Sequence, residues 1–418
     1  KDLVAGRPVY GHPSRSGSFR FRYGRGRNSG FSATCVHPAT MGISDNFLAI
    51  GTQLKIEKPT KGCAVTVCDK IEGPIVKFKD GSVKQIYDLE EAKKIYEDVE
   101  EIIYLGDILF PFSDVANRNY DLIKPGYVEE WWNLELKEKD SEFSKTLDCF
   151  DVSLEDAVKI SEKYQISLYP KLIYYWTQIN KNQLLSLIDF LAHGVIKESK
   201  IILPWKMEDK DSFSEGKRAL EIFGVQHKVF LESVILDEFE SKKLFLNLGY
   251  DLSILDKENY LLKDLVKKEN FDLNEDELKK DFQIKEENLG KDFNFVLEVI
   301  NKNSKYSIRD KAGDFIGARM GRPEKAKLRK LQGSPNVLFS VGKEGGRLRS
   351  VQAACETGKV YSSFPLFYCE KCDKETIYPS CEVCNSKTRQ KYYFPELKEK
   401  SFEKVNEACE KEGLCYEL

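Results

Sequence analysis

No run in this 418-residue chain approaches 18 consecutive apolar residues, so no segment reads as a transmembrane helix. No Gly-x-x-x-x-Gly-Lys-Ser/Thr loop, no Gly-x-Ser-x-Gly elbow and no His-Glu-x-x-His helix occurs. Those absences remove P-loop phosphate chemistry, α/β-hydrolase chemistry and zincin-type proteolysis. No repeat recurs at a fixed period, and no tract is of low complexity. Histidine is scarce, with four in all. His12, His193 and His227 carry little signal; His37, in a Val-His-Pro-Ala-Thr run, reads equally as a ligand contact or as a structural hydrogen bond at a turn. Overall charge is also lacking, because 65 Lys and Arg stand against 68 Asp and Glu for a net −3. Any basic site is therefore local rather than a property of the whole surface.

The most informative absence is local. From Leu3 to Ser44 there is no acidic residue, yet Arg7, Arg15, Arg20, Arg22, Arg25 and Arg27 all fall there. Phe19–Tyr23 alternates aromatic and arginine, which predicts a strand with Phe19, Phe21 and Tyr23 facing a core and Arg20 and Arg22 on the opposite face. Gly24, Gly26 and Gly30 then make a close-approach loop carrying Arg25, Arg27 and Asn28. Arginine's planar fork suits phosphate, so strand and loop together suggest a groove that tracks a nucleic-acid backbone. Charged edge strands that merely avoid pairing give the plainer reading.

A second basic segment lies at Gly317–Lys330. It contains Arg319, Arg322, Lys325, Lys327, Arg329 and Lys330 with one acid, two glycines and Pro323. Such a cluster suits a triphosphate or a phosphate polymer; a solvated basic helix is the alternative.

Eleven cysteines, four of them in two tight pairs, fit a reducing interior with metal binding better than a disulfide framework. Cys369-x2-Cys372-x8-Cys381-x2-Cys384 spaces four thiolates for one tetrahedral Zn²⁺, and four such ligands leave no open position for catalysis; an iron–sulfur cluster or unliganded thiols are the alternatives. Lysines and Arg389 around them read either as nucleic-acid contacts or as ordinary surface cations. Cys35, Cys63, Cys68, Cys149 and Cys355 read as core or free thiols.

Length suggests about three domains. Residues 1–125 read mainly as short strands between Gly and Pro turns, with a hairpin at Lys79–Ser82. One helix is expected through Ala92, Ile95, Tyr96, Val99, Ile102 and Ile103, closed at Gly106. Residues 126–305 turn helical, with a start at Ser153 and a small α/β unit around 217–248. Residues 306–350 return to basic, strand-like sequence, residues 364–395 form the cysteine module, and 396–418 read as a charged helical tail. The class is α+β.

Several of these segments, in order and at about the expected spacing, resemble the large subunit of archaeal family D DNA polymerase. They are Phe21–Phe31, Val36–Thr40, Gly51–Lys55, Ile71–Pro74, Leu105–Leu109, Glu129–Trp132, and Arg309–Lys311 followed by Gly317–Lys330. The resemblance spans essentially the whole chain. It implies a double-psi β-barrel, the first of a two-barrel polymerase core, built from residues near 15–125 and 305–350. The helical α/β region is inserted between them and a zinc ribbon follows. It implies template-directed DNA synthesis by two-metal nucleotidyl transfer, with Lys325, Lys327 and Lys330 contacting triphosphate or primer. DNA contacts would fall to Arg20, Arg22, Arg25, Arg27, Asn28, His37, Arg319, Arg322 and Arg329. It also implies a small subunit with a 3′→5′ exonuclease, a sliding clamp, the remainder of the large subunit, and a cytoplasmic setting without membrane attachment.

Where the family holds Mg²⁺ on an Asn-x-Asp-Gly-Asp-type loop of its second barrel, this chain has no match. Asp107 reads as a cap or turn residue, and Asp310, between Arg309 and Lys311, as an ion-pair partner. The chain is accordingly expected to be a fragment, inactive alone. Tyr169 and Thr177 stand where the family commonly shows histidine, and Tyr392–Pro395 where a further cysteine pair is usual. The reading from another class is a non-catalytic zinc-ribbon DNA-binding module. A piece of RNA polymerase would instead extend RNA primers with ribonucleotides.

Overall fold

A computed structural model describes residues 3–4, 6–24, 34–45, 47–58, 62–116, 121–206, 210–284, 294–321, 341, 344, 350–361 and 365–391. The fold is mixed α+β with several sheets. Phe19–Tyr23 forms the expected strand, and Phe19 and Phe21 are fully buried against Val36, Leu54, Ile108 and Phe110. The strand lies parallel to Asp107–Phe110 on one side, with Asp107 opposite Arg20, and antiparallel to Phe315–Ile316 on the other.

The sheet runs Leu3–Val4, Arg7–Gly11, Ala318–Met320, Gln53–Ile56, Gly62–Val67, Thr34–Val36, Asp107–Phe110, Phe19–Tyr23, Phe315–Ile316. Its last strand and its third are separated only by Gly317. The segment 315–320 therefore pairs at both ends of a five-strand run, and the sheet curls back on itself. Gly317 permits this, because a Cβ there would stand 2.6 Å from the carbonyl of His12. Glu57 pins the crossing by accepting the Gly317 N–H at 3.0 Å and the Ser14 N–H at 2.7 Å. Strands from the first 110 residues and from 315–320 thus share one core.

Between them, residues 127–308 build a separate and larger core. Ser153 caps the helix Leu154–Tyr164 as expected, accepting from the Asp156 N–H. An antiparallel five-stranded sheet, in the order Lys228–Phe230, Ser233–Leu236, Lys200–Pro204, Val195–Lys197, Tyr260–Leu261, packs on Lys181–Ala192 and Glu238–Leu248. Among the described residues no helix is long and apolar enough to cross a membrane.

The helix expected through Ile103 is shorter than the periodicity suggested. It covers Leu89–Ile95, capped by Asp88, and after one 3-10 turn Val99–Tyr104 is a strand. That strand pairs with Ile75–Phe78, which also pairs with Val83–Gln85 across the Lys79–Ser82 turn. β-branched Val99, Ile102 and Ile103 fit a pleated ladder better than a helix, and the available partner strand decides the outcome.

This three-stranded sheet meets the five-stranded one at Val83 and His227, which exchange backbone hydrogen bonds of 2.9 and 3.0 Å. The His227 ring is buried at that joint with Nδ1 2.9 Å from the Val225 carbonyl oxygen. Burial, then the charge of Lys217, pushes the ring down to about 4 against the opposing pull of Glu221. The native ring thus binds its proton less readily than the unfolded one, whose pKa is about 6.5. Its contribution is complete above that value and is lost as pH falls through 4. We expect the urea midpoint to fall between pH 7 and 5, by about 2 kcal/mol of stability, and the His227→Gln variant to show a shallower fall. Identical pH profiles would show that this ring is not the sensor.

Candidate nucleic-acid interface and metal centre

The alternation at Phe19–Tyr23 was expected to place two arginines on an open face. The structure corrects this for both. Arg20 and Arg22 are each 1% exposed, because the face opposite the aromatic core is covered by acids. Asp107, fully buried on the neighbouring strand, accepts from Arg20 Nε at 2.5 Å and Nη2 at 2.8 Å, and from Arg22 Nη1 at 3.1 Å. It also takes the Glu72 N–H at 3.0 Å. Arg22 reaches Glu129 at 2.8 Å and also bonds Glu130. Lys311 closes the network on Glu72 at 2.8 Å, and Tyr175 donates to the same carboxylate at 2.9 Å.

Burial alone would raise the Glu72 carboxyl, but Arg20 and Lys311 outweigh it and hold the group well below the usual carboxylate range. Its members come from six pieces of chain, around residues 20–22, 72, 107, 129–130, 175 and 311, so the network joins the curled sheet to the inserted region. Gly106 makes room for it: its φ is +87°, and a Cβ there would lie 2.6 Å from the Glu72 carbonyl oxygen. Asp107 is therefore the centre of a buried ion-pair cluster rather than a cap or turn residue. Asp310 is an ion-pair partner, holding Lys124 at 2.8 Å and accepting from Thr177 Oγ1 at 3.0 Å.

His37 is also removed from any open groove. It is 1% exposed and caps the short helix Pro38–Ile43, its Nδ1 accepting the Ala39 N–H at 3.1 Å. Burial lowers its pKa against the pull of Asp107 and Asp69, favouring the neutral ring that a cap acceptor requires. Of the two readings open for this residue, the structural hydrogen bond is the one present.

Arg319 is half-buried on strand Ala318–Met320, opposite Lys55. With Lys55, His12 and Glu57 it lines a cleft of about 370 Å³. The strand ends at Met320, inside the second basic segment. Arg25, Arg27, Asn28, Arg322, Lys325, Lys327, Arg329 and Lys330 lie outside the described residues.

Sequence reasoning missed Glu72 and Glu129 as partners of the two arginines, and Lys311 and Tyr175 as partners of Glu72. A signal existed: an arginine that alternates with core aromatics needs anions if its own face is covered, and buried charges are paired.

The cysteines are brought together. Cys369, Cys372, Cys381 and Cys384 place their sulfurs within 4.8 Å of one another, and Cys369 and Cys384 stand 3.4 Å apart. Tetrahedral thiolates at about 2.3 Å from an ion are about 3.8 Å apart, so the donor set fits a metal such as zinc. Each knuckle turns on a left-handed residue directly after its second cysteine, Asp373 at φ 50° and Asn385 at φ 60°. Asp and Asn are the non-glycine residues that tolerate this conformation best. Strands Leu366–Cys369, Lys374–Thr376 and Arg389–Lys391 frame the site. Ile377 and Tyr378 pack on the curled sheet's core, and Arg309 donates to the Val383 carbonyl at 3.2 Å. Among the described residues this is the one group of three or more His, Cys, Asp or Glu placed to hold a metal. Cys409 and Cys415 lie outside them.

Residues 1–403 match the family model described as DNA polymerase II large subunit DP2, central domain. A DNA polymerase II large subunit from Nanoarchaeum equitans is 35% identical over 95% of this chain. Proteins of the same name from Archaeoglobus fulgidus and Pyrococcus horikoshii are 36% and 35% identical over 98% and 91% of it. The chain spans 32%, 33% and 27% of the lengths of these three relatives.

Proposed function

We propose, for a chain that belongs to the DNA polymerase II large subunit family, that it forms part of the catalytic subunit of an archaeal replicative DNA polymerase. The observation that carries this reading is the family match over residues 1–403. The sheet that curls back through Gly317 supports a double-psi barrel, the first of two, interrupted by the inserted α/β region. In this reading the basic segment after Gly321 supplies cations, with Lys325, Lys327 and Lys330 at the triphosphate or primer. Arg25, Arg27, Asn28, Arg319, Arg322 and Arg329 grip the DNA backbone. Arg20 and Arg22 take the other task of holding the barrel to its insertion. The four cysteines hold a structural Zn²⁺.

Nucleotidyl transfer in this reading also draws on Mg²⁺. Asp107 and Glu72 do not fit that ion, since both carboxylates are already taken by Arg20, Arg22 and Lys311. The metal-binding aspartates belong to a second barrel outside these 418 residues, and this chain alone should not extend a primer. A small exonuclease subunit, the sliding clamp and the rest of the large subunit complete the cytoplasmic assembly. The committed acids also favour a second reading, a non-catalytic DNA-binding module.

Primer–template binding across a salt series tests the grip. Replacing Lys325, Lys327 and Lys330 with Ala should reduce the slope of log K against log salt by about 2 to 3 and weaken affinity at every sequence. Unchanged affinity and slope would refute the phosphate role. Extension assayed together with the second-barrel polypeptide separates the two readings, because only a polymerase half-site supports synthesis.

A further inference from the structure

The five-stranded sheet of the inserted region has one buried face and one that nothing described covers. Its register defines the outer row. Lys228 lies opposite Ile235, Ile235 opposite Ile202, Ile202 opposite Val195, and Val195 opposite Leu261. Phe230, Ser233 and Pro204 form the next row. An antiparallel sheet with one solvated face ordinarily shows polar residues there. Here both rows are predominantly apolar, Phe230 is 65% exposed and Leu261 47%. Ile235, Ile202 and Val195 belong to none of the apolar clusters of the core.

Two further observations mark the face. The turn beside Phe230 places Leu231, 83% exposed, at φ 54°. A large apolar residue in the left-handed region is costly on both counts, and such strain collects at functional positions. A cleft of about 720 Å³ also opens along the face toward the three-stranded sheet, lined by Phe230, Ile235 and Phe78 with Lys84, Lys200 and Lys228.

We propose that this face docks an acidic amphipathic helix of a partner protein. The charged side chains in the outward strand positions are Lys197, Lys200 and Lys228, with no acid among them. Asp80 and Asp237 stand in the cleft, and Glu198 in the adjoining turn reaches Lys200 only at 3.9 Å. An apolar strip bordered by lysines complements an apolar strip bordered by carboxylates. Strand addition is disfavoured, because the Lys228–Phe230 edge already meets Val83 through His227 and the opposite edge strand, Tyr260–Leu261, is only two residues long. Five strands at about 4.8 Å spacing span about 20 Å, enough for three or four turns of a helix about 10 Å across. This inference does not depend on the DNA-binding reading.

The test uses the full chain and two labelled helical peptides of about 18 residues. Both present leucines at i, i+3, i+4 and i+7; one carries glutamate and the other lysine elsewhere. The glutamate peptide should bind at least about tenfold tighter, and Ile202→Lys with Ile235→Lys should weaken it at least about tenfold. Lys200→Glu with Lys228→Glu should reverse the preference. Leu261→Lys, at the sheet's far edge, serves if the central variants fail to melt cooperatively. Absence of binding, equal binding of both peptides, or binding indifferent to these substitutions overturns the proposal. Self-association abolished by Ile235→Lys would assign the face to a second copy instead. Single-stranded DNA that displaces the peptide would assign it to nucleic acid.

Discussion

The Asp107→Asn variant is expected to lose about 3–5 kcal/mol of stability, the range seen when one partner of a buried ion pair is removed. The side chain accepts three guanidinium hydrogen bonds and one backbone N–H with no solvent exposure. Asparagine keeps the shape but removes the charge, and its amide N–H₂ must face either an arginine or the Glu72 N–H. Arg20, Arg22 and Lys311 would then share Glu72, Glu129 and the half-exposed Glu130. The thermal midpoint of the sheet should fall by roughly 10 °C. A midpoint unchanged within about 1 °C would show that the Asp107 charge is dispensable. The double replacement Arg20→Met with Asp107→Leu should recover much of the loss, since a well-packed apolar pair avoids the desolvation of two charges. Arg22→Ala distinguishes this role from a DNA groove. It should lower stability while leaving the salt slope of DNA binding intact, whereas a groove residue would do the reverse.

The same cluster shows what the sequence could and could not reveal. Asp107, Glu72, Arg22, Glu129 and Lys311 each sit in a different one of the segments on which the family resemblance rests. Those segments are legible as motifs, and the natural inference from arginines beside glycines is phosphate. Their convergence is not legible, because Asp107 meets Arg20 only through a parallel strand pairing 87 residues apart. Alternation at Phe19–Tyr23 correctly placed the aromatics in the core, yet alternation says only that two faces differ. It cannot say that the second is also covered. The Val99–Tyr104 strand failed for a related reason: β-branched residues at helical spacing fit either period until a partner strand decides. The register that makes the outer sheet face apolar is likewise a tertiary property, since Val195, Ile202, Ile235 and Leu261 become one row only after four strands align. By contrast, the four cysteine ligands were readable from the sequence, because their spacing is local.

That local character makes the ribbon's response to metal loss the largest effect expected. Residues 365–391 contain three short strands, and the apolar cluster within them consists of the cysteines themselves, Cys369, Cys381 and Cys384 with Cys372 packed against them. Apart from Phe367, the ribbon buries no further apolar side chain of its own, so without an ion it has little interior. Structural zinc in comparably small modules contributes about 10–16 kcal/mol of apparent binding energy at neutral pH, which is also their folding energy. Replacing Cys369 and Cys384 with Ser should reduce bound zinc from one per chain to none and abolish amide-exchange protection across 365–391. Cys355→Ser, at an exposed thiol outside the cluster, should change neither. The consequence extends beyond the ribbon. Tyr378 lies 6.0 Å from Tyr23 between ring centroids, and Arg309 holds the Val383 carbonyl while stacking on Tyr127 and Trp131. Loss of the ribbon would therefore uncover Tyr23 at the end of the arginine strand and release one tether of Arg309. The Glu135 ion pair and the Ser167 contact would keep Arg309 in place. Exchange should rise moderately around Tyr23 and Ile123 while the Asp107 cluster stays protected. Protection retained in 365–391 after zinc release would contradict the structural role of the metal. Collapse of the Asp107 cluster as well would mean that ribbon and sheet fold as one unit rather than docking as two.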